Sequence, residues 1–257
     1  MQGHEQKLLR IKAIRKQFGG VNALNGVSMD VEPGTVTGLI GPNGSGKSTL
    51  FNVITGFVRP DQGEAVFDGE PLNGLTPDRI AHKGLFRSFQ MSLQPKRMTV
   101  MENMLLCPMR QDGESLLGAL LRPGKVRRQE RANREKAFEI LETVNLADKG
   151  DTLVGSLSGG QKKLLSLAQA LMIGPKLILL DEPVAGVNPR LIEDIARVLL
   201  KLKEQGQNFL VVEHNMKFVR QVCDVLHVLD VGDVIASGPT LETLNREEVL
   251  EAYLAKN

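Results

Sequence analysis

Gly41-Pro42-Asn43-Gly44-Ser45-Gly46-Lys47-Ser48-Thr49 is the stretch on which the fold turns. It satisfies G-x-x-x-x-G-K-[ST], the P-loop pattern, in which glycines let successive backbone N–H groups turn inward on an anion. Val36-Thr37-Gly38-Leu39-Ile40 before it reads as a buried strand. Ser48-Thr49-Leu50-Phe51-Asn52-Val53-Ile54 after it reads as the first turns of a helix. Strand, glycine loop and helix is the context the chemistry demands, because the helix N-terminus adds its partial positive charge to the loop amides. In that arrangement Lys47 reaches the β- and γ-phosphates and Ser48 ligates Mg²⁺. A Gly/Ser-rich linker fits poorly between two apolar runs. The expectation is a nucleoside triphosphate site formed by Gly41 to Thr49.

Size and composition bound the rest. At 257 residues the chain can hold one large domain, or a core with a smaller subdomain. An apolar fraction of 42% with 24% charged residues is ordinary for a soluble globular protein. A net charge of +2 falls short of a nucleic-acid signature, so no nucleic-acid partner is expected. No apolar run approaches the length of a membrane span, and Met1-Gln2-Gly3-His4-Glu5-Gln6-Lys7 has no apolar signal core. A cytoplasmic location follows as an expectation. Cys107 and Cys223 match no metal spacing, and a disulfide is not expected.

Outward from the P-loop, the first hundred residues read as short strands and turns. Leu8–Ile14, Val27–Val31 and Ala65–Phe67 are broken by Gly19-Gly20, Pro33-Gly34 and Asp68-Gly69, and Gly84–Phe89 forms a further strand leading to Gln90. Helical character dominates from Val100 to Ile173; Ala137, Ile140, Leu141 and Val144 share one helix face. Thereafter strands Leu177–Leu180, Phe209–Val212 and Val225–Leu229 alternate with helices. Asn188, Pro189 and Gly206 mark the start and stop of the helix between the first two. This alternation predicts an α/β fold with a mostly parallel sheet. The long helical stretch predicts an inserted subdomain.

Two further stretches carry chemistry. Leu177-Ile178-Leu179-Leu180-Asp181-Glu182-Pro183 is a buried strand running into two acids at the ligand edge of the sheet. There Asp181 can hold Mg²⁺ and Glu182 can polarise an attacking water. Leu157-Ser158-Gly159-Gly160-Gln161 opens an amphipathic helix at Lys162–Met172 and makes a second anion site, because first-turn amides lack partners.

With these residues the chain resembles the ABC ATPase family, whose LSGGQ signature it matches from Leu157 to Gln161. Walker A, signature and LLDEP occur in the family's order, and the resemblance runs from about Leu8 to Asn257. It implies a P-loop NTPase core with an antiparallel β subdomain and an inserted α-helical subdomain. About 1–91 and 174–257 would form the core, and about 92–173 the helical part. It implies that Gln90 reaches Mg²⁺ and the attacking water, that His214 contacts the γ-phosphate, and that Phe18 stacks on adenine. It also implies a head-to-tail dimer in which Ser158–Gln161 of one copy covers the γ-phosphate held by the other. ATP and Mg²⁺ are the implied cofactors. The implied partners are a second ABC ATPase, itself or a paralogue, transmembrane permease subunits at the cytoplasmic membrane face, and indirectly a periplasmic binding protein. Where many members carry Ser-Ala-Leu-Asp after Walker B, this chain has Ala185-Gly186-Val187-Asn188, which puts a charged contact there in doubt.

That variant is similar to the subgroup serving branched-chain amino acid importers. So are Phe86-Arg87-Ser88-Phe89-Gln90, Met98-Thr99-Val100-Met101-Glu102-Asn103, the segment between Cys107 and Glu130, and Val249-Leu250-Glu251-Ala252-Tyr253-Leu254. The expected activity is therefore ATP hydrolysis powering import of a small solute such as a branched-chain amino acid. The alternatives are the ATPase of a lipopolysaccharide-type exporter and a soluble, non-transport ABC ATPase. The basic run Arg122, Lys125, Arg127, Arg128, Arg131 and Arg134 reads as a solvated helix face.

Overall fold

A computed structural model describes residues 7–88, 94–108 and 123–254. Two compact units emerge. The first holds 7–88, Lys176–Ala185 and the chain from Ile192; the second holds 94–108, 123–175 and Gly186–Leu191.

The first unit is built on two sheets. Strands β1 (Leu9–Phe18), β2 (Val21–Val31), β4 (Gln62–Phe67) and β5 (Glu70–Pro71) form an antiparallel sheet in the order β2-β1-β4-β5. The other sheet is ordered β10-β9-β3-β8-β7-β6. It comprises β3 (Val36–Ile40), β6 (Leu85–Ser88), β7 (Leu177–Asp181), β8 (Asn208–Val212), β9 (Val225–Asp230) and β10 (Asp233–Pro239). From β6 to β9 every neighbouring pair is parallel, and β10 returns antiparallel beside β9. All of β3 is buried, as a strand covered on both faces must be. Because β3, β7 and β8 run parallel, their C-terminal ends share one edge of the sheet. That edge carries Gly41, Asp181 and Glu213 with the residues that follow each.

One apolar cluster joins the two sheets. It includes Leu9, Ile11, Val27 and Phe67 from the antiparallel sheet with Leu39, Leu179 and Leu210 from the parallel one. Leu50, Phe51 and Ile54 of the helix Lys47–Ile54 belong to the same cluster. The P-loop is thus held between a buried strand and a buried helix face.

The second unit is helical, with Val100–Leu105, Pro123–Thr143 and Gly159–Ile173. Ala137, Leu141 and Val144 are fully buried on the expected stripe, and Ile140 is half-buried. Thr99 and Glu102 form a capping box at the first of these helices.

The expected strands exist, with shifted limits. β1 continues past Ile14 to Phe18, and β2 begins at Val21, before Val27. The extra residues mix polar Arg15, Lys16, Gln17, Asn22 and Asn25 with apolar ones without alternation, and a bulge near Ala13, whose φ is 49°, breaks the pattern that marks a strand. β10 carries little apolar signal and owes its conformation to pairing with β9. Asn188 caps the helix Pro189–Glu204 as expected, its Oδ1 accepting from Leu191 N–H at 3.0 Å.

Candidate nucleotide site

The P-loop requires its glycines. Gly41 has φ 153°, and a Cβ there would lie 2.0 Å from the Leu229 carbonyl oxygen. Gly46, at φ 107°, is the N-cap of the helix Lys47–Ile54, and no side chain caps it. The first-turn amides therefore face outward as a ready anion cradle. The Lys47 ammonium is buried and donates to the carbonyls of Gly41 at 2.9 Å and Pro42 at 2.8 Å. Ser48 is exposed in the first helical turn, and Asn43 and Gly44 are exposed at the loop tip. The β9–β10 turn buttresses the loop: Gly232 N–H donates to the Ser45 carbonyl at 3.0 Å, and Asn25 Nδ2 to the Val231 carbonyl at 2.9 Å.

At the end of β7, Asp181 accepts from Arg87 Nη2 at 2.6 Å, and both side chains are more than four-fifths buried. Glu182 adopts φ 50°, a left-handed conformation costly for a residue with a side chain. Its amide donates to the Val212 carbonyl at 2.9 Å, and this turn aims the carboxylate at His214. Glu182 Oε1 and His214 Nε2 lie 2.9 Å apart. An ionised carboxylate only accepts, so Nε2 is the donor. Glu213 braces this pair. Its buried carboxylate accepts from the amides of Val184 at 2.8 Å, His214 at 2.9 Å and Asn215 at 3.2 Å. The loops after β7 and β8 are thereby tied together.

The other two histidines among the described residues differ in kind. His227 Nδ1 lies 2.8 Å from Ser237 Oγ and Nε2 lies 3.1 Å from the Asp30 carbonyl; burial holds its pKa below the usual imidazole range. His82 Nδ1 lies 2.7 Å from the carbonyl of Asp78, on its own helix. Neither is near the strand-edge acids in these contacts. Both cysteines are free thiols, and burial pushes Cys107 up to about 11 and Cys223 up to about 12.

In the second unit, Ser158 is the N-cap of the helix Gly159–Ile173. Its hydroxyl accepts from Gln161 N–H at 3.3 Å, and Gln161 Oε1 accepts from Ser158 N–H at 2.9 Å. Gly160 is buried, and a Cβ there would lie 1.7 Å from Leu191 Cδ2. Leu157 is buried, whereas Ser158 and Gly159 are exposed.

Phe18 is 47% exposed at the β1–β2 turn, with the Lys16 ammonium 5.3 Å from its ring centroid. An exposed ring beside a cation is available to stack rather than committed to the core. Gln90 lies outside the described residues. Two contributors had no assigned role from sequence: Arg87 and Glu213. Arg87 follows Leu85 and Phe86 in the four-residue strand β6 with polar Ser88 after it, so its local sequence gives no sign of its partners. Burial pushes the Tyr253 phenol up to about 12, and the Gly41 backbone amide acts in the opposite direction; the oxygen makes no full hydrogen bond among the described residues.

Among the described residues no group of three or more His, Cys, Asp or Glu could hold a metal. The Ser48 hydroxyl and the Asp181 carboxylate are hard oxygen donors. That set suits Mg²⁺, which takes one or two protein ligands and completes its shell with water and substrate phosphates.

A family model described as ABC transporter matches residues 24–185. A probable branched-chain amino acid transport ATP-binding protein LivG of Methanocaldococcus jannaschii is 42% identical over 254 residues, covering 97% of this chain and 98% of that protein. The fold matches a nucleotide-free ATP-binding cassette from an ABC transporter with TM-score 0.82 and 42% identity, over 96% of this chain and 98% of the other. It also matches a dimeric, post-hydrolysis cassette bound to ADP and Pi with TM-score 0.71 and 25% identity, over 90% of this chain and 98% of the other. No described helix is long and apolar enough to cross a membrane.

Proposed function

The chain belongs to the ABC transporter family as an ATP-binding subunit, and on that premise we propose that it hydrolyses ATP to drive import of branched-chain or related amino acids. The observation that carries the reading is the shared sheet edge. There an uncapped, glycine-bounded helix N-terminus with Lys47 stands at the end of β3, while Asp181, Glu182 and His214 follow β7 and β8. Gly41 to Thr49 would hold the triphosphate and Phe18 the adenine. Ser48 and Asp181, with Gln90, would hold Mg²⁺, which when bound offsets charge on the phosphates. Glu182 would orient the attacking water, with His214 beside it able to contact the γ-phosphate. Ser158–Gln161, with Leu157 beneath, would meet the triphosphate of a second copy or paralogue, so that ATP favours the closed pair by its differential affinity for it. The helical part from about residue 92 to 173 would present this signature, and the flanking core would hold the nucleotide.

Glu182→Gln is the decisive variant. Loss of a general base costs roughly 10²–10⁴ in rate. Turnover should fall by that much while an ATP-stabilised dimer persists in size-exclusion chromatography with ATP. Hydrolysis at the wild-type rate would refute the assignment. For the cargo, tagged protein recovered from its native membranes in mild detergent should bring permeases, a second ATPase and a periplasmic binding protein. The chain would then work peripherally at the cytoplasmic membrane face. Recovery of soluble partners only would sink the transport reading and leave the ATPase standing.

A further inference from the structure

Arg87 is a largely buried arginine that joins the P-loop helix to the strand carrying Asp181. It sits on the edge strand β6, paired in register beside β7, with Arg87 opposite Leu179 and Ser88 opposite Leu180. Its guanidinium touches charged, polar and aromatic groups. Nη2 donates to Asp181 Oδ2 at 2.6 Å, Nη1 donates to Asn52 Oδ1 at 2.7 Å, and the guanidinium carbon lies 5.5 Å from the centroid of the Phe51 ring. Phe51 and Asn52 belong to the P-loop helix, so one side chain links that helix to the acid at the end of β7. The Arg87 and Asp181 side chains are only 13% and 14% exposed. A carboxylate so far from water needs a positive partner, and removing that partner leaves an uncompensated buried charge.

We propose that Arg87 and a divalent cation compete for the Asp181 carboxylate, so that Arg87 sets the metal requirement of nucleotide binding. The inference rests on the reading of Asp181 as a Mg²⁺ ligand. An arginine stays protonated at any working pH, so it cannot step aside by losing a proton. A cation that approaches Asp181 meets like charge on Arg87 and must displace its Nη2 hydrogen bond. Asn52 and the Phe51 face then keep the guanidinium within the fold while the carboxylate changes partner. Arg87 is a positioning residue on this account: it acts on the nucleotide through Asp181.

The test is a MgCl₂ titration of fluorescent N-methylanthraniloyl-ADP binding to the full-length protein, read as the Mg²⁺ concentration giving half of the affinity gain. Arg87→Met should lower that concentration about tenfold, equivalent to about 1.4 kcal/mol. Arg87→Lys, which keeps the charge but not the two-armed grip, should fall between it and the wild type. Asn52→Ala, which removes the anchor that holds the guanidinium once Asp181 changes partner and leaves Asp181 itself untouched, should raise it. Loss of a purely structural arginine would weaken binding or leave it alone; only a competitor's removal makes the metal bind more readily. An unchanged or raised Mg²⁺ requirement in a folded Arg87 variant overturns the proposal, as does an unchanged or lowered one in Asn52→Ala. If Arg87→Met does not fold, the Lys and Asn52 variants decide by the same criteria. Wild-type binding that shows no Mg²⁺ dependence, or an Asp181→Ala variant with the wild-type dependence, would instead sink the reading of Asp181 itself.

Discussion

The helix beginning at Lys47 and the helix beginning at Gly159 both start from glycine-bearing loops, but only the second supplies its own cap. At the first, Gly46 offers no side chain, and its left-handed backbone turns the first amides outward. At the second, Ser158 and Gln161 satisfy each other's backbone amides in a capping box. The difference separates two kinds of anion site. An uncapped, cationic start is built for a ligand to complete it. A capped start is complete as a helix and offers a ligand only the remaining first-turn amides and the Ser158 hydroxyl. The glycines differ in the same sense. Gly41 is needed because a Cβ would strike backbone, and Gly160 because it would strike the Leu191 side chain.

The comparison breaks most severely at Gly41. In Gly41→Ala the new Cβ would sit 2.0 Å from the Leu229 carbonyl and 2.7 Å from Ser45 Oγ. Relief requires moving backbone, at a cost of roughly 1–3 kcal/mol for overpacking and a similar amount for the left-handed φ. The loop that moves is the one that cradles phosphate. Fluorescent-nucleotide affinity should fall at least about thirtyfold, since about 1.4 kcal/mol is tenfold. Near-wild-type affinity would mean that the cradle tolerates a displaced first glycine.

Gly160→Ala should act on folding rather than on the P-loop. Its obstacle is the end of a flexible side chain, so the cost is about 1–3 kcal/mol, read as a lower Tm. Adding Leu191→Ala removes the obstacle and should restore part of that loss. A double variant no better than the single one would place the strain elsewhere.

Motifs made of backbone needs were legible from the chain because they constrain residue type directly. Gly41 to Thr49 and Asp181-Glu182 could be located from spacing and flanking apolar runs, whereas Ser158–Gln161 taken alone reads as a flexible loop and stood out only through its five-residue match to the family signature. The parallel strands were visible because strands buried on both faces read as continuous apolar runs, as in Leu177–Leu180. The antiparallel sheet was blurred where exposed residues and the bulge at Ala13 removed alternation. β10 was invisible because its pairing with β9 supplies what its composition lacks. Arg87 and Glu213 had no assigned role for another reason. Their contacts, to Asp181 and Asn52 and to the Val184 amide, join positions from 29 to 94 residues apart, and no local pattern encodes such a meeting.

Ser158→Ala sharpens the contrast at the level of a single hydrogen bond. It removes the acceptor for Gln161 N–H at an expected cost of about 1 kcal/mol. For a protein of this size that is a fall of about 2–4 °C in Tm. Ser158→Asn keeps a capping acceptor and should keep most of the stability. If the signature meets a second copy's nucleotide through the hydroxyl, both variants lose ATP-driven dimerisation while only the alanine loses Tm. Equal dimerisation by wild type and asparagine would reduce Ser158 to a cap.

Gly159→Ala has the smallest expected effect on the fold and asks the cleanest question of the signature. Gly159 has no left-handed φ to preserve, and a Cβ would meet nothing within 4 Å among the described residues. Alanine is a better helix former than glycine by about 1 kcal/mol in a helix interior, so at this first position the Tm should hold or rise slightly. Nothing among the described residues therefore accounts for a glycine there. The remaining reason is an approach from outside, by something that must come close to the helix start. A fall in turnover and in ATP-driven dimerisation at unchanged Tm is the expected outcome, and it would locate that approach at Gly159. Full turnover at unchanged Tm would leave the capped helix start with only Ser158 facing the ligand, and its likeness to the P-loop would be one of sequence alone.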